Sequence, residues 1–333
     1  MPQQRLLASQ QAPETNQTLI APAPHLPTHS SALISSLFRW LGRFSLPTLH
    51  RLGAIGGLLT YRFSGRYRLR MRDNMALGLQ RPPTSGELRE AAMETGRMMF
   101  ELPYIWQQPL AKVLGHVIEV EGWEKVEALR AEGRAVLALT PHLGCFEIIS
   151  LYIGERMPMT VLYRPPKQSV IEPILRAGRE QGHIKLAPAD LGGVRRLIKA
   201  LRQGEATGLL PDQAPGNGEG QWSPFFGKPA YTMTLAARLS EVQNAAVLLF
   251  WGERIIGRGW RIQVLEPHEA ITGTLEERVH LINRNIERVI QRRPTQYLWG
   301  YNRYKVPAGV AAPDASADIA SSAASATPQR PAQ

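Results

Sequence analysis

The sequence predicts an α/β protein with a mostly parallel sheet flanked by helices, preceded by a membrane-associating helical segment. Three observations carry this. From His116 to Gln291 short strand-like runs alternate with helical patterns across short connections, the signature of stacked βα units. Apolar residues make up 44% of the 333-residue chain and charged ones 20%, enough for one large domain or two smaller ones. Near the N-terminus an apolar stretch runs directly into a basic cluster.

Taken in order, residues 1–31 (Pro, Gln, Thr, Ala) and 307–333 (Ala, Ser, Pro) bury too little apolar surface to offset their ordering entropy and are expected to be disordered. The stretch Ala32–Tyr61 is interrupted by Arg39, Arg43, His50 and Arg51. Its longest uncharged piece, Leu52–Tyr61, falls short of the ~20 residues a spanning helix needs. The segment is therefore expected to lie on or partly in a membrane. Arg62, Arg66, Arg68, Arg70 and Arg72 follow, each worth about 1 kcal/mol beside an anionic bilayer; a solvated helix face or a nucleic-acid patch is the alternative. No secretory signal is expected, because the first thirty residues lack an apolar run of signal length.

Thr84-Ser85-Gly86-Glu87 fits a capping box, predicting a helix to about Leu102, ahead of Pro103, with Met93, Met98, Met99 and Phe100 as core contacts. Strands are expected at His116–Glu121, Ala135–Thr140, Met159–Tyr163, Ile184–Leu186, Ala206–Leu210, Ala245–Trp251 and Trp260–Leu265. Helices are expected at Trp123–Glu132, Phe146–Glu155, Lys167–Gly182, Leu191–Gln203, Tyr231–Ser240 and Thr274–Gln291.

Ligand sites in such sheets lie beyond the carboxyl ends of the strands, so the loops after Thr140, Tyr163 and Leu210 are the ones to read. In Thr140–Glu147, His142 is a candidate general base and Glu147 a candidate carboxylate to fix its tautomer; a strand-to-helix turn at Gly144 can bring them together. His116 and Glu121 share the spacing but point to opposite faces of a strand. Cys145, the only cysteine, forms no intrachain disulfide, and nothing in its surroundings marks a reactive thiol. The nucleophile-elbow pattern of serine hydrolases is absent.

Arg164, at the end of the strand Met159–Tyr163, can hold phosphate or developing negative charge, or cap a carbonyl. Asp212 either binds a ligand or caps a turn, and lacks a second carboxylate at metal-ligand spacing. Gly216, Gly218 and Gly220 do not follow a P-loop or dinucleotide order and read as a flexible loop. Gln296–Lys305 interleaves aromatics with cations, suiting a headgroup, a phosphosugar, stacked bases or a C-terminal strap.

In this order the motifs resemble the late acyltransferases of lipid A biosynthesis, the lauroyl/myristoyl transferase family within the lysophospholipid acyltransferase superfamily. The residues that carry the resemblance are Arg72-Asp73-Asn74, His142-Leu143-Gly144-Cys145-Phe146-Glu147, Tyr163-Arg164-Pro165, Gly192-Gly193 with Leu201–Gly204, Pro211-Asp212-Gln213, Phe225–Thr232 and Gln296–Arg303, over about 45–305. The N-terminal anchor departs from the family's usual apolar one through its charges.

The resemblance implies an acyltransferase domain over 73–306 after the membrane-associating segment 32–72. It implies His142 as general base with Glu147, and Arg164, Asp212, Gln213, Gly227 and Arg303 as substrate-binding residues. Oxyanion donors would come from a backbone N–H near Gly227 or from Arg164. Neither a metal nor another cofactor is required. The partners implied are an acyl carrier protein thioester, an anionic lipid A precursor and inner-membrane lipids on the cytoplasmic face, which suit a net charge of +11; no nucleic acid is expected. Competing readings are a glycerolipid or lysophospholipid acyltransferase, a thioesterase, and a non-catalytic membrane or nucleic-acid binding protein.

Overall fold

The structure, a computed structural model, describes residues 29–166, 169–216 and 218–313. The expectations for the two tails lie outside these residues except at 29–31, where a helix has already begun, and at 307–313, which form turns and coil. The expected helix start at Lys167 also lies outside them. Five helices lead the chain: α1 His29–Leu41, α2 Leu46–Phe63, α3 Gly65–Leu79, α4 Ser85–Gln107 and α5 Leu110–Leu114. Strands and helices then alternate as β1 Val117–Glu121, α6 Trp123–Ala131, β2 Ala135–Leu139, α7 Glu147–Arg156, β3 Met159–Tyr163, α8 Glu172–Arg179, β4 Ile184–Pro188, α9 Leu191–Arg202 and β5 Ala206–Leu209. After them come β6 Gly220–Phe225, β7 Lys228–Met233, α10 Leu235–Leu239, β8 Ala245–Ile255, β9 Gly259–Leu265 and α11 Leu275–Arg292.

Seven strands form one sheet in the order β1-β9-β8-β2-β5-β3-β4, parallel at every pairing except β8 with β9. All five residues of β2 are buried, as an inner strand covered on both faces requires. Their side chains alternate between two cores. Leu137 and Leu139 pack with Leu197 and Leu201 of α9 and Ile282 and Ile286 of α11. Val136 and Ala138 pack on the other face with Leu49 of α2, Ile105 of α4 and Ile148 of α7.

The segment after the first helix is part of this body. Leu46, Leu49, His50, Gly53 and Gly57 of α2 are buried. A Cβ at Gly57 would strike the carbonyl oxygen of Ala92, and one at Gly96 that of Gly53, so α2 and α4 meet backbone to backbone. The outer faces stay apolar and basic: Leu33, Leu37, Trp40, Ile55, Leu59, Phe63 and Leu69 are exposed, as are Arg62, Arg66, Arg68 and Arg72. Among the described residues no helix is long and apolar enough to cross a membrane.

Met99, expected as a core contact, is exposed, and two expectations of secondary structure need correction. The helix that starts at the Thr84–Glu87 capping box runs through Pro103 to Gln107 instead of stopping at Leu102. An interior proline costs about 3 kcal/mol. Tyr104, Ile105 and Trp106, all buried, each return about 1.5–3 kcal/mol by staying in register with the core, so continuation wins. The helix expected at Tyr231–Ser240 is instead strand β7 followed by the short α10. β6 and β7 form an antiparallel hairpin whose two turn residues, Phe226 and Gly227, have φ of 48° and 73°. That is the type I′ geometry whose twist suits a two-residue hairpin, built here on Phe-Gly instead of the familiar Asn-Gly.

Candidate active site

β2 and β5 lie side by side in parallel, with Leu139 opposite Leu209. His142 and Asp212 each follow that matched pair by the same number of residues, so the two loops deliver them to one point at the carboxyl end of the sheet. There Asp212, buried, accepts two hydrogen bonds from the same residue: His142 Nδ1 at 2.8 Å and the His142 backbone N–H at 2.9 Å. Burial pushes the Asp212 carboxyl up, but the His142 ring and its hydrogen bonds outweigh burial and hold it below the usual carboxylate range. An ionised carboxylate only accepts, so Nδ1 carries the proton and Nε2 of the neutral ring presents a lone pair. Among the described residues no protein group takes a hydrogen bond with Nε2.

The loop backbone is held from several sides. Leu298 N–H donates to His142 O at 3.1 Å, Gly144 N–H to Gln296 O at 3.0 Å, and Cys145 N–H to Gly252 O at 2.7 Å. Gly144 has φ of 58°, and a Cβ there would strike Gly252 O, so glycine is required at this turn. Phe146 lies beside the imidazole, ring centroids 4.8 Å apart.

His142 opens onto a cavity of about 230 Å³. Ala138, Met159, Val161 and Leu209 give it an apolar lining, and Glu147 and Arg179 its other charged groups. Glu147, the first residue of α7, turns toward α4 and α8: it accepts from Trp106 Nε1 at 3.1 Å and from Arg179 Nε at 2.9 Å, with Arg179 Nη2 on its second oxygen. The guanidinium also covers the Trp106 ring, 5.6 Å from its centroid. Burial alone would lower the Arg179 pKa, but Glu147 outweighs this and raises it.

The expected pairing is thereby corrected: the carboxylate on His142 is Asp212, and Glu147 is spent on Trp106 and Arg179. The reason is local. At the start of α7 the Glu147 side chain projects onto the neighbouring helices, whereas Asp212 arrives from the adjacent strand at matching height. Arg179 and Trp106 were missed by the sequence reading, since nothing separates Arg179 from the other cations of α8 until its partner is seen.

The other candidates are dispersed. Arg164 is exposed at the end of β3, 3.7 Å from Glu219, and is not among the cavity-lining residues. Gly227 sits exposed at the tip of the β6–β7 hairpin, also outside the lining. Gln213 is half-buried beside Asp212. Arg303 is buried and faces the hairpin, donating to Tyr231 O at 2.7 Å and Thr232 Oγ1 at 2.6 Å over the Phe225 ring. Cys145 is buried, and burial, then Glu101, pushes its thiol well above the usual range, so it stays protonated. Among the described residues no group of three or more His, Cys, Asp or Glu is placed to hold a metal.

A family model described as bacterial lipid A biosynthesis acyltransferase matches residues 27–306. The chain is 27% identical over 276 residues to the lipid A biosynthesis palmitoleoyltransferase of Escherichia coli (strain K12), covering 81% of this chain and 88% of that protein. It is 26% identical over 305 residues to the lipid A biosynthesis lauroyltransferase of the same organism, covering 86% and 98%. With a histidine–aspartate pair opening on a partly apolar cavity, and the match spanning nearly all of the described fold, the chain belongs to the bacterial lipid A biosynthesis acyltransferases and is an acyltransferase.

Proposed function

We propose that this enzyme moves a fatty acyl group from an acyl carrier protein thioester to a hydroxyl of an anionic lipid A precursor, with His142 as general base. The observation that carries this reading is the doubly bonded Asp212–His142 pair, which leaves Nε2 as the free basic atom beside an apolar cavity. Nε2 takes the acceptor hydroxyl proton as the oxygen attacks the thioester carbonyl. Asp212 stabilises the imidazolium that forms. Collapse of the tetrahedral intermediate breaks the C–S bond, and the imidazolium returns its proton to the thiolate. Arg179, aimed by Glu147 from the same cavity wall, supplies positive charge for the oxyanion. Glu147 therefore acts by positioning Arg179.

Attachment to the cytoplasmic face of the inner membrane belongs to the same proposal. Leu33, Leu37 and Trp40 of α1 and Ile55, Leu59 and Phe63 of α2 are exposed apolar side chains adjoining the exposed arginines of α2 and α3. Shallow insertion and charge together anchor more firmly than either alone.

The test is product analysis by mass spectrometry, using acyl carrier protein thioesters with a lipid A precursor, a lysophospholipid or no acceptor. The expected product is the acylated lipid A precursor, abolished by His142→Ala in a folded protein. Acylated lysophospholipid, or acceptor-independent hydrolysis at the same rate, would replace the reading with a glycerolipid acyltransferase or a thioesterase.

A further inference from the structure

The twelve residues of α9 contain four cations and no acid. Leu191, Arg195, Lys199 and Arg202 recur at helical spacing and form one outward stripe, with Arg196 alongside; all five are exposed, Leu191 at 78%. The opposite stripe, Gly193, Leu197, Ala200 and Leu201, is buried against the sheet. Among the described residues no carboxylate pairs with any of these four cations. On the neighbouring surface helices, by contrast, Arg176 pairs with Glu180, and Arg284 and Arg288 with Glu269. The helix begins just beyond β4, at the end of the sheet where His142 and Asp212 also emerge, and β4 adjoins β3, whose Leu162 lines the cavity.

We propose that this stripe is the docking surface for an acidic acyl carrier protein, a proposal that rests on the carrier-thioester donor reading above. Unpaired cations headed by a single exposed leucine complement an acidic, amphipathic partner surface. They lead it to the sheet end where a thioester on a flexible arm can enter the cavity. A membrane is the other anionic partner, and the layering argues against it here. α9 packs on the sheet face it shares with α11, whereas the exposed apolar residues of α1 and α2 belong to helices on the opposite side, with α4 and α7. Leu191 is the only large exposed hydrophobic residue of α9, too little for insertion. The exposed apolar residues of α1 and α2 and the α9 stripe thus lie on different faces, while α3, which carries exposed arginines, packs through Met71 and Met75 into the same core as α9.

The test is a charge reversal in the full chain, Arg195→Glu with Arg196→Glu and Lys199→Glu, assayed with a titrated acyl carrier protein thioester and a saturating, detergent-dispersed acceptor. Loss of complementary charge at an interface rim slows association and flattens the salt dependence, so KM for the carrier thioester should rise about tenfold or more while kcat stays within about twofold. The wild-type KM should rise with salt and the variant's barely move. The double variant Arg195→Lys with Arg196→Lys, which leaves Lys199 in place, should retain the wild-type KM. An unchanged KM in the folded reversal variant overturns the proposal. So does a lost sedimentation with phosphatidylglycerol vesicles at unchanged KM, which would assign the stripe to the membrane. A fall in kcat at unchanged KM would assign it a structural role instead. Failure of the donor reading is separately visible: wild-type protein would turn over acyl-CoA but not the carrier thioester, and the docking surface would fall with it.

Discussion

The substitution Asp212→Asn isolates what the histidine–aspartate pair does, because it preserves shape and removes one acceptor. Asp212 uses one oxygen for the His142 backbone N–H at 2.9 Å and the other for Nδ1 at 2.8 Å. An amide offers one oxygen and one NH₂ group in the same positions. The backbone N–H is an obligatory donor, so setting the NH₂ against it leaves a buried donor unsatisfied at about 1–3 kcal/mol. The imidazole, by contrast, can change tautomer at little cost. The amide oxygen therefore stays on the backbone, the NH₂ faces Nδ1, and the ring proton moves to Nε2. Nε2 then has no lone pair for the acceptor hydroxyl. A correctly folded protein in the wrong tautomer should lose about 10²–10⁴ in kcat. The assay is the initial rate of acyl transfer at saturating donor and acceptor, alongside a thermal melt. A kcat within about threefold of wild type, in a protein with an unchanged melting temperature, would refute the assignment of His142 as base held by Asp212.

Other expectations follow from the same geometry. Cys145→Ala should keep kcat within about twofold, since the buried, protonated thiol is no nucleophile; complete loss of turnover at normal stability would revive it. Gly96→Ala gains about 1 kcal/mol of helix propensity but drives a methyl group into the Gly53 carbonyl. Overpacking against backbone costs about 1–3 kcal/mol, so the urea midpoint should fall, and a raised midpoint would contradict the close α2–α4 contact. Burial pushes Glu101 up, but Arg254 and His50 outweigh this and bring it from 4.5 to about 2. Asp212 is depressed in the same sense. A depressed carboxylate stabilises the fold above its unfolded pKa, and that contribution is lost as pH falls from about 4.5 toward 2. The urea midpoint should therefore decline through this window, and a constant midpoint down to about pH 3 would count against the buried pairs.

The strands and helices from β1 to α9 were legible because each is a local pattern: apolar runs such as Ala135–Leu139, and the buried stripe of Leu197 and Leu201 with cations outside. The hairpin was not, because Phe226 at positive φ is a poor turn signal and Pro224 and Pro229 face each other across the ladder. His142 was legible from its place after a buried strand. Its partner was not, because strand order is a property of the whole sheet: β2 neighbours β5, with β3 and β4 lying between them in the chain. Spacing along the chain favoured Glu147, five residues away, over Asp212, which lies seventy residues on but at matching strand height.

What holds His142 in place is likewise drawn from distant parts of the chain. The loop from Thr140 to Phe146 has no regular backbone ladder, so its polar groups must be satisfied by side chains and isolated bridges. Gly144 O accepts from Arg254 Nη2 at 2.9 Å. Arg254 is fully buried and bound by Glu94 and Glu101 of α4, and Glu101 in turn accepts from Trp260 and contacts His50 of α2. Gln296 closes the other side, its amide bonded to both backbone groups of Arg254 while its own carbonyl takes Gly144 N–H. Buried ion pairs of this kind add little stability over a well-packed apolar core. Their value here is geometric. They tie the His142 loop to α2 and α4 and to the C-terminal strap, at the cost of making each indispensable to the others. A general base must sit within hydrogen-bond reach of its substrate proton, and a misplacement of about 1 Å can cost about 10² in rate. An N-terminal segment whose sequence reads as an anchor is thus, through His50, Glu101 and Arg254, also part of the frame that positions His142.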